Sequence, residues 1–194
     1  MLYIITPCSR PQNLAKMQAS IQFDKIEKWI VVHDSQRSTK SVLSHPQILE
    51  LFHADPKSKV GNAQKNIALQ HIPKVEGALL YVLDDDNEMH PEFWKHEFAT
   101  DCVTTFDQLR NHRSGHVMKG PELKDGQIDT AMMVIPSLFA RPWQLDLYAS
   151  DGRLAEELRK EGVKHVYVNK VLCFRLLPET QHCQDQGAQL PPML

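Results

Sequence analysis

Leu79-Leu80-Tyr81-Val82-Leu83-Asp84-Asp85-Asp86-Asn87 is the stretch that decides the fold. Five apolar residues, one β-branched and one aromatic, read as a strand buried on both faces, which is the habit of parallel sheets. Three carboxylates and an amide follow at once, before His90-Pro91 opens a predicted helix. Crowded carboxylates repel and raise one another's pKa unless a cation lies among them. Hard divalent cations such as Mg²⁺ or Mn²⁺ take oxygen ligands of this kind and share them with a substrate's phosphates. In open α/β sheets, ligands bind at the carboxyl ends of the strands. The alternative is a solvated acidic turn.

Outward from that stretch, the whole chain has the make-up of an ordinary globular protein. It has 194 residues, 42% hydrophobic and 24% charged, enough for one domain with a sizeable core. A net charge of -2 supplies no basic field for nucleic acid or an anionic membrane. No apolar run reaches the ~20 residues needed to cross a bilayer, and the first residues lack a signal-peptide pattern. Cys8, Cys102, Cys173 and Cys183 are scattered with no CxxC pair, so the expectation is reduced thiols in a cytoplasmic protein.

Before the acidic stretch, Leu2 to Ile5 reads as a strand and Thr6 to Pro11 as the turn that ends it. Ser9 can cap a helix with Pro11 in its first turn and Leu14, Met17 and Ile21 on one face. Trp29 to His33 is a second buried strand, with Asp34 at its carboxyl end. Residues 36–59 read as loop with a short helix around Gln47 to Phe52. Gly61 to Leu69 is predicted helical, and Lys65 near its start is either a surface lysine or a point charge for a diphosphate.

After it, residues 100–126 show no clear element. His112, His116 and Arg113 lie there without HxH or HExxH spacing, and read as surface residues rather than a zinc site. Ala131 to Ile135 is a predicted strand after Asp129, and Arg153 to Glu161 a helix with Asp151 as a candidate N-terminal cap. His165 to Val168 and Val171 to Phe174 are two predicted last strands, ahead of Arg175. Residues 178–194 read as a poorly packed tail behind a domain of residues 1–177.

These motifs together resemble metal-dependent GT-A glycosyltransferases, which use nucleotide sugars and carry a DxD motif at the end of a central strand. Within that group the chain is similar to the β-1,3-glucuronyltransferase family. Its Thr-Pro-x-x-x-Arg-Pro pattern is met by Thr6, Pro7, Arg10 and Pro11, and its strand ending in an acidic residue by Val31-Val32-His33-Asp34. Its Arg-Asn-x-Ala-Leu helix is met by Lys65-Asn66-Ile67-Ala68-Leu69, with Lys for Arg, and its Asp-Asp-Asp-Asn by Asp84 to Asn87. The second half departs from the family. The glutamate of its Glu-Ser-Asp base motif is Ala149 here, leaving Asp151 as the nearest carboxylate, and Arg175 stands where a late histidine touches the diphosphate.

The resemblance implies a single-domain α/β fold of GT-A (nucleotide-diphospho-sugar transferase-like) type, with a mixed, mainly parallel central sheet flanked by helices. It implies sugar transfer from a nucleotide-sugar donor, UDP-sugar favoured, to a glycan or other hydroxyl acceptor, with inversion. Asp86 would be the metal ligand for Mn²⁺ or Mg²⁺ and Asp151 the base. Thr6, Arg10, Asp34, Lys65, Asp84, Asp85 and Arg175 would bind the nucleotide sugar, and Asp129 would face the acceptor or sugar. Should Asp151 be only a cap, Glu156, Asp146 or Asp129 would be the base. The rivals are a nucleotidyltransferase, which usually has a glycine-rich loop where Thr6 to Pro11 has none, and a non-catalytic nucleotide-sugar-binding module.

Overall fold

The apolar runs form the middle of the sheet. In a computed structural model, which describes residues 1–37, 43–54, 60–111 and 115–175, β1 (Leu2–Cys8) lies between β2 (Lys28–Asp34) and β4 (Leu79–Val82), parallel to both. All seven β1 residues are buried, as a strand covered on both faces requires. β3 (Ile48–His53) extends the parallel block along β2. On the other side come β8 (Met133–Pro136), β6 (Val103–Asn111), β9 (His165–Arg175) and β5 (Asn87–Met89), with the short β7 (His116–Met118) on β6. The long pairings are parallel, β6 with β9 included, and the antiparallel ones are short, so the sheet is mixed and mostly parallel.

Helices are few. α1 (Leu14–Ser20) covers one face of the sheet; α2 (Asn62–Leu69) and α3 (Ser150–Lys160) cover the other. Alternate strand residues feed the two cores. Ile4, Trp29, Val31, Tyr81 and Phe106 point to the α1 side, and Ile5, Ile30, Val32, Leu80 and Val82 to the α2–α3 side. Gly61 starts α2 with a φ of +74°, and a Cβ there would lie 2.6 Å from Pro7 Cβ. Glycine therefore lets the first turn of α2 press on the end of β1.

The acidic turn forces the sheet to curl. β4 and β5 are separated by three strands, so about 19 Å at the usual strand spacing. The chain from Val82 to Asn87 spans at most about 17 Å fully extended. It is not extended, because Asn87 N donates to Asp84 O at 2.9 Å. Curling brings β6 and β9 round to the turn that follows β4.

Several expectations are corrected. Gln47 to Phe52 is not a helix: Ile48–His53 is strand β3, whose backbone satisfies the open edge of β2. The unassigned residues 100–126 hold β6 and β7. The two last strands are one, β9, with its register shifted against β6 opposite Asp107. The helix after His90 is a single 3₁₀ turn, Pro91–Lys95, and another, Thr130–Met132, precedes β8. Ser9 caps no helix, and α3 begins earlier, at Ser150. Cys8, Cys102 and Cys173 are free and buried, His116 is exposed, and His112, Arg113, Cys183 and residues 178–194 lie outside the described residues. Among the described residues no helix is long and apolar enough to cross a membrane.

Thr6 is fully buried and works inside the sheet. Its hydroxyl donates to Leu83 O at 2.7 Å and accepts from Trp29 Nε1 at 2.9 Å. Thr6→Val keeps the shape but leaves both partners unsatisfied, which costs about 1–3 kcal/mol. Urea denaturation should show that loss; an unchanged midpoint would contradict the role.

Candidate functional site

The three aspartates of the turn face three different partners. Asp85 turns inward against the loop after β1. One of its oxygens accepts from Ser9 N at 2.6 Å, Ser9 Oγ at 3.0 Å and Arg10 N at 2.7 Å. The other accepts from Arg10 Nε at 2.9 Å and from Arg10 Nη2. Asn13 Nδ2 donates to the Asp85 carbonyl at 2.8 Å. This fork-to-carboxylate geometry with two backbone donors saturates Asp85. It latches the β1 loop to the β4 turn and fixes Arg10.

Asp84 turns toward α2 and α3. Lys65, fully buried, places Nζ 3.1 Å from Asp151 Oδ1, 3.8 Å from Asp84 Oδ1 and 3.5 Å from Thr130 Oγ1. Thr130 Oγ1 in turn lies 2.9 Å from Asp84 Oδ2 and 3.3 Å from Asp151 Oδ2. The Trp143 ring, 5.8 Å from Lys65 Nζ, closes the cluster. Burial alone would lower the Lys65 pKa, but Asp151 and Asp84 more than reverse this and it lies above the ordinary lysine value. Burial pushes the Asp84 carboxyl up to about 7; Lys65 opposes the rise and Asp129, Asp151 and Asp86 add to it.

Asp86 is also buried, yet its partners are loose. Oδ2 lies 3.5 Å from Arg10 Nη2 and 3.4 Å from Arg175 Nε, and Oδ1 accepts from Asn87 Nδ2 at 3.2 Å. Charge-assisted contacts of this type normally close to about 2.7–2.9 Å. Burial raises its pKa, with Arg10 and Arg175 pulling the other way. A buried, under-bonded carboxylate beside two guanidiniums suits a hard cation that shares its shell with phosphate oxygens. Among the described residues no three His, Cys, Asp or Glu side chains enclose a metal by themselves. The residues therefore fit a cation held by one carboxylate and completed by substrate, not a closed protein cage.

Asp151, second residue of α3, caps nothing; its carboxylate is spent on Lys65 and Thr130. Asp129 caps the 3₁₀ turn through Ala131 N at 3.0 Å and pairs with Arg110 at 3.3 Å. Asp34 lies on the same sheet edge but apart from this network. It accepts from Gln36 N at 3.0 Å and has Arg37 Nε at 3.6 Å. Glu156 pairs with Lys160 at 3.0 Å, and Asp146 is exposed. Lys65 as a surface residue is corrected: it is among the most buried side chains.

Asn62 and Thr130, not singled out from the sequence, and Asn66 of the Lys65–Leu69 motif complete the arrangement. Asn62 Nδ2 donates to Gln144 O at 2.7 Å and Leu147 O at 2.9 Å. Asn66 exchanges two hydrogen bonds with the Trp143 backbone, at 2.8 and 2.7 Å. These amides tie the segment before α3 to α2 and so set where Asp151 starts. The asparagines recur four apart on one helix face, which is the signal that could have found them. Thr130 gave none beyond following Asp129.

No family model and no curated protein matches the chain. Among solved structures, it is similar to the mannosyltransferase PcManGT from Pyrobaculum calidifontis, solved in complex with GDP-Man and Mn²⁺. The TM-score is 0.65 at 14% identity, over 92% of this chain and 57% of that one. This chain thus spans little more than half the length of that protein, and the likeness is one of fold. An inositol-1-phosphate CTP transferase from T. maritima matches at a TM-score of only 0.49 and 11% identity, over 93% of each chain.

Lys65→Met keeps most of the stem and removes the buried charge, leaving two half-buried carboxylates without their cation. Loss of one partner of a buried pair costs about 3–5 kcal/mol. Asp84 at about 7 lies above the ordinary 3.8, so the folded state holds its proton more tightly. Stability from that proton is full below pH about 4 and is lost as pH rises through about 7. The Lys65→Met deficit, read by urea denaturation, should therefore be larger at pH 8 than at pH 5. Equal deficits would contradict the pairing.

Proposed function

We propose that this chain is a metal-dependent glycosyltransferase, moving a sugar from a nucleotide-diphosphate sugar, UDP-sugar favoured, to an acceptor hydroxyl with inversion. The observation that carries the reading is Asp86, buried and loosely held between Arg10 and Arg175 at the carboxyl end of the central strand. The fold likeness to an enzyme solved with a nucleotide sugar and Mn²⁺ supports it. On this reading residues 1–177 are the GT-A domain and 178–194 its tail. Buried free thiols fit a cytoplasmic protein.

The chain's own residues would act as follows. Asp86 holds Mn²⁺ or Mg²⁺, which when bound supplies Lewis-acid charge to the departing diphosphate. Arg10, aimed by Asp85, and Arg175 offer guanidiniums to the same oxygens from two sides. Asp34, on the same sheet edge, takes the nucleobase, and Asp84 the ribose. Lys65 adds its charge from beneath, through Asp84 and Asp151, rather than by direct contact. Thr6 contributes through the sheet, having no exposed atom. Asp151 is the base that takes the acceptor hydroxyl's proton as its oxygen attacks, and single displacement inverts the anomeric centre. Lys65 and Thr130 would hold that carboxylate in place. Asp129, fixed by Arg110, faces the acceptor or sugar.

A panel of UDP-, GDP- and TDP-sugars with Mn²⁺ tests the reading: slow nucleotide release from one sugar supports transfer. Pyrophosphate-dependent turnover would instead make the chain a nucleotidyltransferase, and binding without turnover a binding module. With the donor found, Asp151→Asn should keep donor affinity and lose transfer by about 10²–10⁴-fold. Near-normal turnover by that variant would remove Asp151 as the base. Asp86→Asn should erase the Mn²⁺ dependence of donor binding, measured by calorimetry, and retained dependence would move the metal elsewhere.

A further inference from the structure

Gln108 sits on β6 with no exposure to solvent, where an amide without full partners would be costly. All of its polar atoms are used. Oε1 accepts from Arg110 Nε at 3.1 Å, and Nε2 donates to Asn87 Oδ1 at 3.1 Å with Cys173 Sγ at 3.9 Å. Asn87 Nδ2 passes the chain on to Asp86 Oδ1 at 3.2 Å. At the far end Arg110 Nη2 reaches Asp129 at 3.3 Å.

The direction of this chain is forced. A guanidinium only donates, and a carboxylate only accepts. With Arg110 at one end and Asp86 at the other, turning either amide would set acceptor against acceptor or donor against donor. A central strand gains nothing from a buried amide that a leucine would not supply. What the pair of amides does supply is a fixed donor for one oxygen of Asp86.

We propose that Gln108 and Asn87 are positioning residues for Asp86: an Arg110–Gln108–Asn87 relay that orients its carboxylate toward a divalent cation and links it to Asp129. This rests on the metal role given to Asp86 under the proposed function. Outer hydrogen-bond partners of a metal ligand of this kind typically contribute 10–100-fold in metal affinity.

Two substitutions separate orientation from packing. Gln108→Glu keeps the shape and still accepts from Arg110, but it cannot donate to Asn87, whose amide is released. Gln108→Met fills the space and makes neither bond. Calorimetry with UDP and with GDP, each in Mn²⁺ and each in EDTA, reads the metal-dependent gain in affinity. Both variants should lose 10–100-fold of that gain while binding in EDTA stays at the wild-type value. Leu158→Ala, on the buried face of α3 and away from the relay, should lower the melting temperature and leave the gain intact. If Gln108→Glu does not fold, Gln108→Met decides. A wild-type gain retained within twofold in the folded variants overturns the relay alone. A wild type whose nucleotide binding shows no metal dependence overturns the metal role of Asp86, and the relay with it.

Discussion

A single buried ammonium, Lys65 Nζ, fixes how the two halves of this molecule meet. It comes from α2 and ends between Asp84, in the turn after the central strand, and Asp151 on α3. Burying a lysine is costly unless carboxylates are already gathered to receive it. Here two of them are, with the Thr130 hydroxyl between them and a tryptophan face beside. α2 cannot slide along the sheet without breaking that cluster, nor can α3 rotate. The Asn62 and Asn66 bonds to residues 143–147 lie on the same side and depend on the same placement of α2.

Around that anchor, three consecutive aspartates do three different things because the chain turns between them. Asp84 belongs to the lysine cluster and Asp85 to the loop after β1. Asp86 keeps only long contacts with its two guanidiniums. Like charges this close would drive one another toward protonation, and basic groups relieve them: Lys65 beside Asp84, Arg10 beside Asp85, and Arg10 with Arg175 beside Asp86. The curl of the sheet makes this possible, since it brings the end of β9, and Arg175 with it, to a turn that begins on β4.

The strands of the parallel centre were legible because their side chains are apolar on both faces, and the acidic turn because carboxylates directly after such a strand are unusual. Elsewhere polar residues hide a strand. Val103–Asn111 shows no clear element in sequence because Thr104, Thr105, Asp107 and Gln108 are polar, yet all four are buried, the last three with side-chain hydrogen bonds. Gln47 to Phe52 reads as helical because nothing local shows that the edge of β2 is open beside it, where strand Ile48–His53 forms. Asp151 has the sequence position of a cap, and only the three-dimensional arrival of Lys65 gives its carboxylate another partner. Thr6 has the sequence position of a ligand contact, while its neighbours Trp29 and Leu83, far along the chain, take both of its hydrogen bonds. In each case the deciding partner is remote in sequence, which no local pattern records.

The central claim is that Asp86 is where a divalent cation and a diphosphate meet. Crystals grown with Mn²⁺ and either UDP or GDP, measured at the manganese absorption edge, test it most directly. The account predicts an anomalous peak within bonding distance of the Asp86 carboxylate, with the diphosphate between it and the Arg10 and Arg175 guanidiniums. A nucleotide bound with its diphosphate elsewhere, or a manganese peak remote from Asp86, would contradict it.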